Sequence, residues 1–203
     1  MKRLILVASI VLFAGNAFAQ VTERDIVLRQ RAQELMQRCN NGTAAYCMGI
    51  GDGFYRGWME ENGKRMNVPQ SEPLSADFYS IACSKGIGKA CGFAADTYMR
   101  LRDPSIPEQS VFAIAQKGCA LDHNPSCRLA GEMSSKGIGT KVNELTALSY
   151  YTKACELGNE SGCTLQKMTE NIVELSHKKE EIDKSLRDLE RANKILSDPD
   201  LNK

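Results

Sequence analysis

The chain has 203 residues, with 26 basic and 25 acidic side chains and a formal net charge of +1. Near-neutrality gives no electrostatic case for nucleic-acid binding, and the length suits one repeat domain with a tail. Eight cysteines stand against two histidines, with no C-x2-C pair, so the composition points away from zinc.

Met1–Ala19 reads as a secretory signal peptide: Lys2 and Arg3, an apolar run too short to span a bilayer, and an Ala17-Phe18-Ala19 cleavage site. The predicted mature chain starts at Gln20 with no cysteine at the cut, so no lipid anchor and no membrane anchor after cleavage are expected. Removing Lys2 and Arg3 takes the charge from +1 to −1. The predicted location is periplasmic or secreted, an oxidising space in which disulfides persist.

Val21–Arg38 is predicted as a first, capping helix. Cys47–Tyr55 follows as a helix of small residues, with Gly49, Gly51 and Gly53 explained by close packing or by a ligand on the backbone. Between Arg56 and Pro73 lies an insertion read as a loop. It holds Trp58, the only tryptophan, and insertions in repeat proteins often reach the binding face. Tyr55, Arg56, Trp58, Lys64 and Arg65 are therefore the candidate binding residues. Further helices are predicted at Leu74–Ser84, Cys91–Leu101, Val111–Gly118, Cys127–Ser135 and Asn143–Ala154. Asp103–Pro107 is predicted to be a stiff extended loop.

All eight cysteines fall into one frame. Cys39/Cys47, Cys83/Cys91, Cys119/Cys127 and Cys155/Cys163 each enclose seven residues. Cys83 to Cys119 and Cys119 to Cys155 both span 36 positions, and Cys39 to Cys83 spans 44, one period plus 8. Such a period marks stacked supersecondary units. Eight cysteines allow 105 pairings in principle; one local pairing repeated four times treats each unit alike and is the predicted scheme. Each seven-residue loop holds a helix stop at its third position, Gly42, Gly86, Asp122 or Gly158, residues that tolerate the left-handed conformation. Ala82, Gly118 and Ala154 precede their cysteines, where small residues suit tight helix contact. Ser-Lys-Gly-Ile-Gly occurs at Ser84–Gly88 and Ser135–Gly139, off the period, and is read as shared turn chemistry rather than a phosphate loop.

Arg128–Cys163 carries Leu129-Ala130-Gly131, the Gly137-Ile138-Gly139 turn and Ala147-x-x-Tyr150-Tyr151-x-Lys153-Ala154-Cys155. This segment resembles the Sel1-like repeat, in the disulfide-bearing bacterial form known as the Helicobacter cysteine-rich proteins. The resemblance extends over roughly Arg31–Cys163, more weakly in the earlier units. It implies an all-α fold, an α/α superhelical solenoid of disulfide-stapled helix pairs, and an adaptor surface for a protein or peptide. Some cysteine-rich members are described as binding penicillin or hydrolysing β-lactams weakly, so a β-lactam or peptidoglycan-fragment binder is the alternative.

Residues 164–203 differ in kind. Leu165, Ile172, Lys179, Leu186 and Asn193 take heptad position a, and Met168, Leu175, Ile182, Leu189 and Leu196 take d. The expectation is a C-terminal coiled-coil helix that makes a homodimer through residues 165–196, ended by Pro199. The expected division is 1–19, 20–163 and 164–203. No catalytic set is found. Ser176–Lys179 is the one S-x-x-K, sits on the coiled coil and lacks S-D-N or K-T-G. His123 is expected to be exposed. No cofactor and no metal are predicted.

Overall fold

A computed structural model describes residues 23–196. The expected signal peptide, the start at Gln20 and the stop at Pro199 lie outside the described residues. Eight helices follow one another: α1 Glu23–Asn41, α2 Ala44–Arg56, α3 Glu72–Ser84, α4 Gly88–Leu101, α5 Glu108–Ala120, α6 Asn124–Lys136, α7 Glu144–Glu156 and α8 Glu160–Leu196. Each packs against its neighbours in the chain, and α3 also meets α5 and α4 meets α6. This is an α/α solenoid of three antiparallel pairs, α2–α3, α4–α5 and α6–α7.

Local chemistry sets the helix boundaries. Thr43, Ser71 and Asn143 sit in extended conformation and accept the backbone N–H of Tyr46, Leu74 and Thr146, satisfying donors the helix leaves free. At the other ends, Gly57, Arg102 and Gly137 are left-handed and donate back into the last turn.

The four disulfides form as the repeat predicts: Cys39–Cys47, Cys83–Cys91, Cys119–Cys127 and Cys155–Cys163, with Cα separations of 4.9, 4.6, 4.4 and 4.5 Å. Each joins the last turn of one helix to the first turn of the next. The bridges therefore span from one pair to the next and hold the angle at which pairs stack. Each short loop stabilises by roughly 2–3 kcal/mol on the chain-entropy model. Gly86, Asp122 and Gly158 are left-handed, at φ 99°, 56° and 84°. Gly42 is not. Its reason is space: a Cβ there would meet the Arg38 carbonyl oxygen at 2.7 Å and the Tyr46 ring at 3.3 Å.

The core is thin and made largely of small residues. Ala82, Ala90, Gly118 and Ala154 are buried against the neighbouring helix. The large core side chains gather mostly at the N-terminal end, where Phe54 and Phe78 stack at 5.5 Å and Leu35 of α1 is buried in the same core. Tight packing needs glycine at two matching positions. A Cβ on Gly51 would meet the Tyr79 ring at 2.7 Å, and one on Gly131 would meet the Tyr151 ring at 2.5 Å. Both glycines stand four residues after a second cysteine, and both tyrosines four before a first. In the middle pair the same positions are Ala95 and Ala115, both fully buried.

Two expectations are corrected. The insertion is a β-hairpin: β1 Trp58–Glu61 pairs antiparallel with β2 Lys64–Asn67. Asn62-Gly63 supplies the turn, both residues left-handed, at φ 54° and 74°, the preference of a two-residue hairpin turn. Glu61 anchors the hairpin to α1 through Arg31 at 3.0 Å and Arg38 at 2.5 Å. Asp103–Pro107 is a turn rather than an extended loop. The Asp103 carboxylate accepts the Ser105 N–H at 2.8 Å and its carbonyl accepts Ile106 N–H, so the side chain competes for the backbone.

Candidate functional site

Two clefts lie side by side across the first helices of the three pairs. The larger, about 390 Å³, opens between α2 and α4; Asp52, Tyr55 and Arg56 form one wall and Lys89, Phe93, Asp96 and Arg100 the other. Tyr79 of α3 completes it. The smaller, about 200 Å³, opens between α4 and α6 and is lined by Gly92, Phe93, Asp96, His123, Pro125, Arg128 and Leu129. Sharing Phe93 and Asp96, they form one track over α2, α4 and α6. Tyr55 and Phe93 are exposed aromatic side chains along it.

Charge follows the repeat. Five residues after Cys47, Cys91 and Cys127 stands an acid, Asp52, Asp96 or Glu132, and nine after stands a base, Arg56, Arg100 or Lys136. The spacing of four places these on one helix face. Arg56 meets Asp52 at 3.4 Å and Arg100 meets Asp96 at 3.3 Å, while Glu132 pairs back to Arg128. The Tyr79 hydroxyl donates to Asp52 at 2.7 Å, and burial, then this bond, raises its pKa above the ordinary tyrosine value. Lys89 lies 5.3 Å over the Phe93 ring and pairs with no carboxylate among the described residues.

Of the sequence candidates, Tyr55 and Arg56 line the track. Trp58 is half-buried beside it, with Arg65 4.2 Å and Arg56 5.7 Å from its ring centroid. Lys64 is exposed at the hairpin tip, opposite Glu61, and the structure does not bring it to the track. On the other side of the hairpin a second cleft of about 390 Å³ is lined by Tyr46, Gly49, Trp58 and Glu61 among others. Gly53 is spent on packing against Met59, but a Cβ on Gly49 would meet nothing within 4 Å.

Sequence reasoning missed Lys89, Phe93, Asp96, Arg100, His123 and Arg128. The acid and base recurring behind Cys47, Cys91 and Cys127 could have found the ladder. Nothing local marks Phe93. His123 is half-buried rather than exposed, because Gly92 leaves room for its ring and Ser126 Oγ lies 2.8 Å from Nδ1. Burial first, and the Lys89 charge second, hold its pKa below the ordinary value near 6.5. The folded state thus prefers neutral imidazole. Its stabilising share is complete above pH 6.5 and is lost as pH falls from there through the folded pKa. Urea midpoints should therefore drop more between pH 7.5 and pH 5 in the wild type than in His123→Gln; equal drops would show that His123 does not titrate this way.

Ser176 and Lys179 stand on the exposed α8, where the Ser176 hydroxyl is bonded to the Val173 carbonyl at 2.7 Å.

Stacked helix pairs with a side-chain-lined track define a helical-repeat scaffold, the class of protein that binds other proteins. The comparisons name the repeat. Residues 44–87 and 125–159 match the Sel1 repeat, the pairs α2–α3 and α6–α7, so the chain carries Sel1 repeats at these two pairs. The unmatched middle pair is the one with Ala95 and Ala115 in place of glycine and tyrosine. A Sel1 repeat protein from Oxalobacter formigenes has a similar structure (17% identity, TM-score 0.52, 68% of this chain and 98% of that one). So does a protective antigen of uropathogenic Escherichia coli with the same repeat fold (19% identity, TM-score 0.50, 64% of this chain and 26% of that one). Helicobacter pylori cysteine rich protein B aligns at 20% identity and TM-score 0.44, over 71% of this chain and 97% of that one; the fold assignment rests on the other two. No curated protein matches the chain. Four formed disulfides belong to a protein that matures outside the cytoplasm. Among the described residues no helix is long and apolar enough to cross a membrane.

Proposed function

We propose that this Sel1-repeat protein is an exported adaptor that holds a protein or peptide along the α2–α4–α6 track and is doubled through α8. The division into signal peptide 1–19, solenoid 20–163 and coiled-coil tail 164–203 belongs to the same reading. The observation that carries it is α8. Thr169 and Val173 are its last side chains set against the body; beyond them the helix stands almost wholly in solvent. Ile172, Leu175, Ile182, Leu186 and Leu189 are 48–65% exposed and occupy a and d positions. Residues 174–196 would reach about 35 Å at 1.5 Å per residue, far past any cap the last pair needs.

A second copy is the occupant that matches the stripe. In a parallel pair Asn193 faces Asn193, a polar a position that sets register, and Lys178 at g meets Asp183 at the following e. Two tracks on one stalk bind a repetitive or dimeric partner with avidity.

Pairing and its direction are tested with one added thiol, since the eight native cysteines are all bridged. Asn193→Cys, at a, should give a covalent dimer on mild oxidation, and Arg191→Cys, at f, should not. Absence of dimer from both variants would contradict parallel pairing.

A further inference from the structure

We propose that the track selects acidic peptide segments, with a carboxylate beside Lys89 and an apolar side chain between Phe93 and Leu129. This rests on the adaptor reading above and names the chemistry of the partner.

Charge along the track favours an acidic ligand. The two clefts are lined by four cations, Arg56, Lys89, Arg100 and Arg128, and two acids, Asp52 and Asp96. The acids are already engaged. Asp52 accepts the Tyr79 hydroxyl and meets Arg56, and Asp96 meets Arg100. Arg100 also binds Glu72 at 3.0 Å, and Arg128 binds Glu132. Lys89 differs. It is exposed, faces the shared wall of both clefts, and its ammonium rests over Phe93 with no carboxylate partner among the described residues. A carboxylate arriving there meets an unneutralised cation and repels no nearby acid that is not already paired.

The smaller cleft supplies the anchor. Phe93, Pro125, Leu129 and the backbone of Gly92 give it an apolar lining, and the ring of His123 is held neutral against it. Its 200 Å³ suits a single aliphatic or aromatic side chain. Lys89 influences His123 directly, so the carboxylate and anchor positions lie within a few residues of each other on an extended peptide.

The test uses the full disulfide-bonded protein on an array of synthetic octapeptides. Each has one Leu or Phe followed by two Glu or Asp, and each is duplicated with Gln and Asn in place of the acids. The wild type should retain the acidic set at least 10-fold more strongly at 0.05 M salt, and the preference should collapse at 0.5 M. Lys89→Glu, an exposed substitution, should abolish or reverse it; Phe93→Ser should weaken both sets equally. Retention of peptides without acidic preference, or a preference that survives Lys89→Glu, would overturn this inference and leave the adaptor reading standing. Retention of no peptide of either set would overturn both.

Discussion

Gly139→Ala is expected to cost ~3 kcal/mol of unfolding free energy, with Gly49→Ala neutral or favourable by up to ~1 kcal/mol. Two penalties coincide at Gly139. Its φ is +66°, a conformation that side chains other than glycine adopt at a cost. A Cβ would also fall inside the van der Waals envelope of the Glu108 carbonyl, which is backbone at the start of α5 and cannot swing away. Relief requires the α6–α7 turn to separate from α5, that is, one pair to come off the next. Gly49 is exposed within α2 and a Cβ there meets nothing, so only helix propensity changes. Urea unfolding of both variants decides it. A Gly139→Ala midpoint within error of wild type would mean that the α5 contact is absent in solution.

Removing the Cys119–Cys127 bridge should cost more than removing Cys155–Cys163. Both close loops of the same length, so the chain-entropy contribution is alike at roughly 2–3 kcal/mol. Surroundings differ. Cys119 and Cys127 are buried, and Gly118 packs directly against Ser126 beside them, so Cys119→Ala/Cys127→Ala also leaves a void between two repeats. Cys155 and Cys163 are half-exposed at the end of the stack. The same difference orders their chemistry: thiolate attack needs access, so stepwise reduction with alkylation and mass analysis should label Cys155 and Cys163 first. Equal costs for the two double variants, together with simultaneous labelling, would show that burial does not distinguish them.

Much of this architecture could be read from spacing. Four identical cysteine frames implied the pairing, and Leu129-Ala130-Gly131 with Tyr151 marked the repeat without revealing that Gly131 packs against the Tyr151 ring. What failed was context. Ser-Lys-Gly-Ile-Gly shows why: at Ser84–Gly88 its last glycine opens α4, whereas at Ser135–Gly139 the same residue is left-handed and pressed on Glu108. One pentapeptide takes two conformations because the next residues, Lys-Ala-Cys or Thr-Lys-Val, do or do not continue into a helix. The hairpin was legible in Asn62-Gly63, but the short strands around it carry their charged residues beside the turn and show no clean alternation. The track is a product of stacking. Lys89 and Phe93 acquire meaning only when α2 and α6 flank α4, which no local pattern reveals.

The central claim is that a stapled solenoid is doubled through its projecting helix. Light scattering on the protein from Gln20 onward tests it most directly, beside a version ending at Glu174 that keeps Thr169 and Val173 on the body. The account predicts twice the chain mass for the first and a single chain mass for the second. A single chain mass for both would contradict it.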